Sequence, residues 1–184
     1  MTDPSRGPWG LSVFLVDLAT PGISRSEPYD KAGHRTVPAG SLRFDGVEVP
    51  EAARLGPEGA GQSIFNRSID WERRFIFAAH VGAMKRQLDD CVAFARSRKP
   101  GGTAIISHQS VANRLADMHT RWHGARLMIE DAAREIDEGR EDRRTAATVK
   151  LAVSEALLAN AQDALRIGGG SGYLRGDAER MLRD

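Results

Sequence analysis

Proline divides this chain. Seven of its eight prolines (Pro4, Pro8, Pro21, Pro28, Pro38, Pro50 and Pro57) precede residue 58, and only Pro100 follows. Proline lacks a backbone donor and breaks helix interiors, so long helices are confined to the region beyond about residue 60. There, apolar side chains recur at intervals of three and four. One seam runs Phe77, Val81, Met84, Leu88, Cys91, Ala95; a second runs Val111, Leu115, Met118, Trp122, Ala125, Ile129, Ala132, Ile136. A third, of smaller residues, runs Ala147, Leu151, Ser154, Leu158, Ala161, Leu165. Such seams predict three long amphipathic helices packed as an antiparallel bundle. The expected connections are Arg98 to Gln109, broken by Pro100-Gly101-Gly102, and Asp137 to Arg144 around Gly139. A further helical segment starts near Asp177.

The proline-rich part reads as short β-structure. Ser12 to Asp17 is expected as a strand ended by Pro21-Gly22, and Ser41 to Val49 as a strand with a bulge at Gly46. Two or three strands do not make a stable sheet alone, so this piece reads as part of a larger β-domain. Charge narrows the function classes. Twenty-six basic against 25 acidic residues leave a net charge of +1, which argues against a nucleic-acid-tracking surface. No apolar run approaches the ~20 residues of a membrane span. The first residues lack the order of a signal peptide, and a lone Cys91 excludes a disulfide framework. These features predict a cytoplasmic chain.

Four clusters could carry chemistry. Gly168-Gly169-Gly170-Ser171-Gly172-Tyr173 follows the third helix, where exposed backbone could cradle a phosphate; a plain helix cap is the alternative. His119 and His123 have metal-pair spacing but lack the H-E-x-x-H glutamate, so no metal site is expected. Asp70-Trp71-Glu72-Arg73-Arg74 is read as the opening of the first long helix, either as macrodipole-favoured acids or as a carboxylate base. Arg98, beside the Pro-Gly-Gly breaker, suits a pyrophosphate or is a surface arginine.

Taken in order along the chain, these segments resemble a known family. Phe14-Leu15-Val16-Asp17 with Pro21-Gly22 and Lys31-Ala32-Gly33-His34-Arg35 look like the end of a middle β-domain. Phe44-Asp45-Gly46-Val47-Glu48-Val49-Pro50 and Leu55-Gly56 with Gly59-Ala60-Gly61 are similar to a strand-to-helix transition. Leu115-Ala116-Asp117-Met118, Lys150 to Ala156, Gly169 to Tyr173 and Arg180-Met181-Leu182-Arg183-Asp184 are similar to successive helix signatures. The ordered set resembles the C-terminal half of the flavin-dependent acyl-CoA dehydrogenases.

The resemblance implies an α+β fold by segregation. Residues 1–57 would be a fragment of a β-barrel-like middle domain, and residues 58–184 an antiparallel helical bundle lacking its last helix. It also implies α,β-dehydrogenation of an acyl thioester, on coenzyme A or a carrier protein, by glutamate proton abstraction and hydride transfer to FAD. Glu72 matches the catalytic glutamate of the isovaleryl-type branch, and Arg73 a substrate-side arginine common to the branches. Arg98 and Gln109 match a motif reaching the FAD of a neighbouring subunit, although Gly101 and Ala104 alter its aromatic and proline positions. Gly169, Gly170 and Gly172 match the glycine loop beside the flavin's adenosine half, with Arg166 where the family has glutamine. A homo-oligomer with a shared flavin site and an electron-acceptor protein are the implied partners. The alternative is a non-catalytic relative acting as a helical oligomerisation or partner subunit.

Overall fold

The computed structural model describes residues 2–184, in two compact units, one through Ile69 and one from Asp70 onward. In the first unit, strand β1 (Val13–Phe14) pairs antiparallel with β4 (Arg54–Leu55), and β2 (Ile23–Arg25) with β3 (Leu42–Phe44). The registers are Val13 opposite Leu55 and Ile23 opposite Phe44. The strands are shorter than their sequence patterns predict. Asp45 donates its N–H to the Gly22 carbonyl at 2.9 Å, closing the β2–β3 ladder, and the chain turns away at Gly46 instead of bulging within a longer strand. Two-stranded ladders are marginal by themselves, and all three residues of β3 are exposed.

Helix α1 (Gly61–Phe75) begins in this unit, with the Gly61 N–H bonded to the Leu11 carbonyl at 2.8 Å. After a break at Ile76 and Phe77 the second unit continues as α2 (Ala78–Ser97), α3 (Gln109–Asp137), α4 (Arg143–Gly168) and α5 (Asp177–Arg183). Helices α2, α3 and α4 pack against one another. Both connections lie where the breakers predict them. Gly139 follows α3 at φ 71°, a conformation glycine adopts without penalty, and the Asp142 carboxylate caps α4 by accepting the Arg144 N–H at 2.8 Å.

The first two seams face inward. They form two apolar layers: Leu88, Cys91, Ala95, Leu115, Met118, Ala164 and Ile167 in one, and Val81, Met84, Ala125, Ala132, Val149 and Val153 in the other. Met84, Met118 and Val153 are fully enclosed, each contributing about 1.5–3 kcal/mol by leaving water. The third seam is a correction. Helix α4 turns Ala146, Val149, Val153, Ala164 and Ile167 inward; of the expected seam Ala161 is buried, whereas Leu151 and Leu158 are 65% and 48% exposed. An alanine-rich helix carries apolar residues on more than one face, so periodicity alone did not identify the buried one. No helix among the described residues is long and apolar enough to cross a membrane.

The second correction concerns Asp70 to Arg74. These residues do not open a helix; they form the end of α1. Arg74 is 1% exposed, donating from Nη2 to the Asp142 carbonyl at 2.8 Å and from Nη1 to the Asp70 carbonyl at 3.2 Å. Arg143 Nε donates to Asp70 Oδ2 at 2.9 Å. The end of α1 is thus tied to the start of α4 by two polar links.

Candidate functional site

The site forms where α2 and α4 end. Helix α2 stops at Ser97, and the Arg98 N–H bonds back to the Phe94 carbonyl at 2.9 Å. The Arg98 carbonyl then accepts the Ile105 N–H at 2.9 Å, folding the Pro100-Gly101-Gly102 segment into a closed excursion. Helix α4 stops at Gly169, whose φ of 54° is left-handed and carries a steric penalty for any side chain except glycine's hydrogen. Gly172 is glycine for a different reason: a Cβ there would stand 2.6 Å from the Leu165 carbonyl oxygen. The loop therefore folds tightly under α4, while Gly168, Gly169 and Gly170 have open space where their side chains would be.

Arg98, Gly169 and Gly170 line one groove of about 390 Å³, floored by Phe94, Ile105 and Ile167. The Arg98 guanidinium makes no ion pair among the described residues, so its charge is available to a ligand. Arg166, Gly169 and Gly172 line an adjoining groove of about 560 Å³ with Tyr173 and Arg175. The two grooves meet at Gly169, giving the loop an arginine on either side. Exposed glycine backbone between guanidiniums is suited to a phosphate or pyrophosphate.

Beneath Arg166 lies a polar cluster that the sequence did not announce. Asp163, its side chain 4% exposed, accepts from Arg114 Nη1 at 2.6 Å, Arg121 Nη1 at 2.8 Å and Arg166 Nη1 at 3.2 Å. Burial pushes the Asp163 carboxyl upward, but hydrogen bonds from Arg121, Arg114 and Arg166 outweigh it and hold the group below the usual carboxylate range. Asn160, fully buried, accepts from Arg121 Nη1 at 3.1 Å and donates to the Met118 carbonyl at 3.1 Å. Arg121 on α3, and Asn160 and Asp163 on α4, fall between the two apolar layers along the helices. Only the Asp163–Arg166 spacing of three could have been read locally; Arg114 and Arg121 lie 49 and 42 residues from Asp163.

Glu72 and Arg73 stand apart from both grooves, in the last turn of α1. Their neighbour Asp70 is committed, paired with Arg143 and, at 3.9 Å, with Arg73. Glu72 is exposed, and its carboxylate has no ion pair among the described residues. Near a helix C-terminus the macrodipole disfavours a carboxylate, so Glu72 is not explained by helix stability. Gln109 is the exposed first residue of α3 and lines neither groove. His119 and His123 stack on the α3 surface with ring centroids 6.1 Å apart. Burial pushes the Cys91 thiol, beside Asp90 and Asp163, up to about 11.

Comparison with known proteins identifies the family of the helical part. Residues 59–184 match the family model described as acyl-CoA dehydrogenase, C-terminal domain. The chain is 43% identical over 184 residues to an L-prolyl-[peptidyl-carrier protein] dehydrogenase of Pseudomonas fluorescens, covering all of this chain and 48% of that protein. Among solved structures, the prolyl acyl carrier protein oxidase AnaB superposes with a TM-score of 0.95 at 41% identity, over 98% of this chain and 48% of AnaB. PigA, solved with FAD and proline, superposes with a TM-score of 0.92 at 33% identity, over 100% of this chain and 48% of PigA. The chain thus spans about half the length of the relatives it matches.

Proposed function

The chain belongs to the acyl-CoA dehydrogenase family, and from that membership we propose that it forms the C-terminal part of an FAD-dependent acyl-thioester dehydrogenase. The substrate class is an acyl group carried as a thioester on a carrier protein or coenzyme A. The 43% identity to a prolyl-carrier-protein dehydrogenase favours the carrier-protein form. The observation that carries the reading is the groove in which Arg98 meets Gly169 and Gly170. Residues some seventy positions apart converge there, a guanidinium beside glycine backbone.

The residues present fit the pyrophosphate of FAD. Arg98 has an uncommitted guanidinium, and the open faces of Gly169 and Gly170 allow close approach of a phosphate to the backbone. Arg166 would add a second cation from the adjoining groove, and Gln109 would contribute from the start of α3. When bound, FAD supplies the hydride acceptor for dehydrogenation. Glu72 would accept the proton from the carbon next to the thioester carbonyl, as its freedom from ion pairs allows. Asp70 is less suited to that task because Arg143 and Arg73 stabilise its ionised form. Arg73 would face the substrate side. In this reading residues 1–57 belong to a middle β-domain and 58–184 to the C-terminal bundle. The protein would be a homo-oligomer sharing its flavin site between subunits and passing electrons to an acceptor protein.

Absorbance-monitored FAD titration and flavin reduction by an acyl thioester test the reading in the whole protein. Arg98→Ala should weaken FAD by about 1.5–3 kcal/mol, the worth of a hydrogen bond to a charged group. Glu72→Gln should retain FAD yet lose about two to four orders of magnitude in flavin reduction, the span of a general base. Equal FAD affinity in Arg98→Ala removes the groove from the cofactor site. Wild-type reduction by Glu72→Gln moves the base elsewhere.

A further inference from the structure

We infer that Asp163 is a positioning residue for the anion-binding glycine loop: it holds Arg166 beside Gly169 and Gly172, so that the loop is flanked by cations in both adjoining grooves. The inference rests on the reading of that loop as a phosphate site and extends it to a residue that lies beneath the grooves and lines neither.

Arg166 leaves α4 three residues after Asp163 and three before Gly169, so its side chain has both within reach. A half-exposed arginine without a fixed partner samples many rotamers. Here one Nη1 donor of Arg166 is taken by the buried Asp163 Oδ1, whereas a guanidinium carries five N–H groups. The remaining donors stay on the Arg166 guanidinium, which lines the groove with Gly169, Gly172 and Arg175. Asp163 is itself immobilised. Arg114 and Arg121 reach it from α3, and Asn160 ties Arg121 to the Met118 carbonyl. Three guanidiniums meet one carboxylate, so the cluster keeps an excess of two positive charges that a bound phosphate would offset. The one carboxylate that lines the Arg166 groove, Glu179, is paired with Arg183 at 2.7 Å, and no carboxylate lines the adjoining Arg98 groove.

Positioning and simple charge predict opposite outcomes when the carboxylate is neutralised. Removing a negative charge beside an anion site strengthens anion binding by Coulomb's law. Releasing Arg166 from its anchor weakens binding, because the rotamer entropy is then lost on ligand binding.

The test uses the whole protein, freed of FAD, with ADP as probe, titrated calorimetrically at low ionic strength and well below the unfolding temperature. Arg98→Ala and Arg166→Gln should each weaken ADP about tenfold or more, as expected for charge-assisted contacts. Asp163→Asn should weaken it about five- to tenfold. In the double variant Asp163→Asn with Arg166→Gln, ADP should bind no more weakly than to Arg166→Gln alone, since the two act as one unit. Unchanged or tighter ADP binding by Asp163→Asn, or additive losses in the double variant, overturns the inference. If the protein takes up no ADP, or Arg98→Ala and Arg166→Gln both leave it unchanged, the phosphate reading of the loop fails instead. Amide exchange then judges Asp163 independently of any ligand. Exchange across residues 166–173 should quicken in Asp163→Asn while α2 keeps its wild-type protection, and equal exchange in the loop overturns the inference. If Asp163→Asn fails to fold, Asp163→Glu replaces it, keeping the charge but shifting the oxygens by one methylene, with the same two readouts.

Discussion

Arg74 is the buried residue whose replacement separates packing from hydrogen bonding most cleanly. It is 1% exposed and donates to two backbone carbonyls, those of Asp142 and Asp70, while its Nε has no acceptor. Arg74→Ala removes the whole stem. An unfilled volume on the order of 80 Å³ at about 24 cal/mol per Å³ costs about 2 kcal/mol. Losing the charge-assisted hydrogen bond to the Asp142 carbonyl, which keeps the Ala146 N–H at 3.3 Å, adds about 1.5–3 kcal/mol. The expected loss is therefore about 3–5 kcal/mol. Arg74→Met fills most of the same space and also loses that hydrogen bond, yet it relieves the burial of a charged group with an unsatisfied donor. Those two effects oppose each other, as in buried ion-pair replacements that prove neutral, and the expected loss is about 0–2 kcal/mol. Urea unfolding followed by far-ultraviolet circular dichroism measures both, provided the m-value is unchanged. A loss under about 1 kcal/mol for Arg74→Ala would refute the enclosed position of the side chain. Equal losses above about 3 kcal/mol for both variants would show that the hydrogen bonds, not the packing, hold the end of α1.

Two further outcomes follow from the same contacts. Hydrogen bonds to Asp163 hold its pKa in the folded chain below the ordinary 3.8 despite burial. Its stabilisation is therefore complete above about pH 4 and lost as pH falls through the lowered folded value; urea midpoints measured between pH 2 and 5 should fall more steeply for the wild type than for Asp163→Asn. Gly172→Ala puts a Cβ 2.6 Å from a backbone oxygen, whereas Gly170→Ala meets nothing within 4 Å, so thermal melts should show a loss of about 1–3 kcal/mol for the first and a much smaller one for the second.

Local sequence dictated where helices could exist and where they had to stop. The concentration of seven of eight prolines before residue 58, the seams from Phe77 to Ala95 and from Val111 to Ile136, the breaker at Pro100-Gly101-Gly102 and the turn at Gly139 are local facts. Each acts within one or two turns of chain, and each reappears in the fold. The glycine loop and Arg98 were legible as well, because backbone conformation and exposed charge are also local properties. Only the tertiary structure decided which face of α4 is buried. Leu151 and Leu158 satisfy helical periodicity as well as Val149 and Val153 do, and the choice lay with the partner surfaces on α2 and α3. It also decided that Asp70 to Arg74 end a helix instead of opening one: α1 starts at Gly61, whose N–H bonds to the Leu11 carbonyl 50 residues earlier in the chain. The convergence of Arg114 and Arg121 on Asp163 joins positions 49 and 42 residues apart. A buried charge is tolerated only where its partners arrive from elsewhere in the fold, and single-sequence periodicity carries no information about which distant side chains those will be.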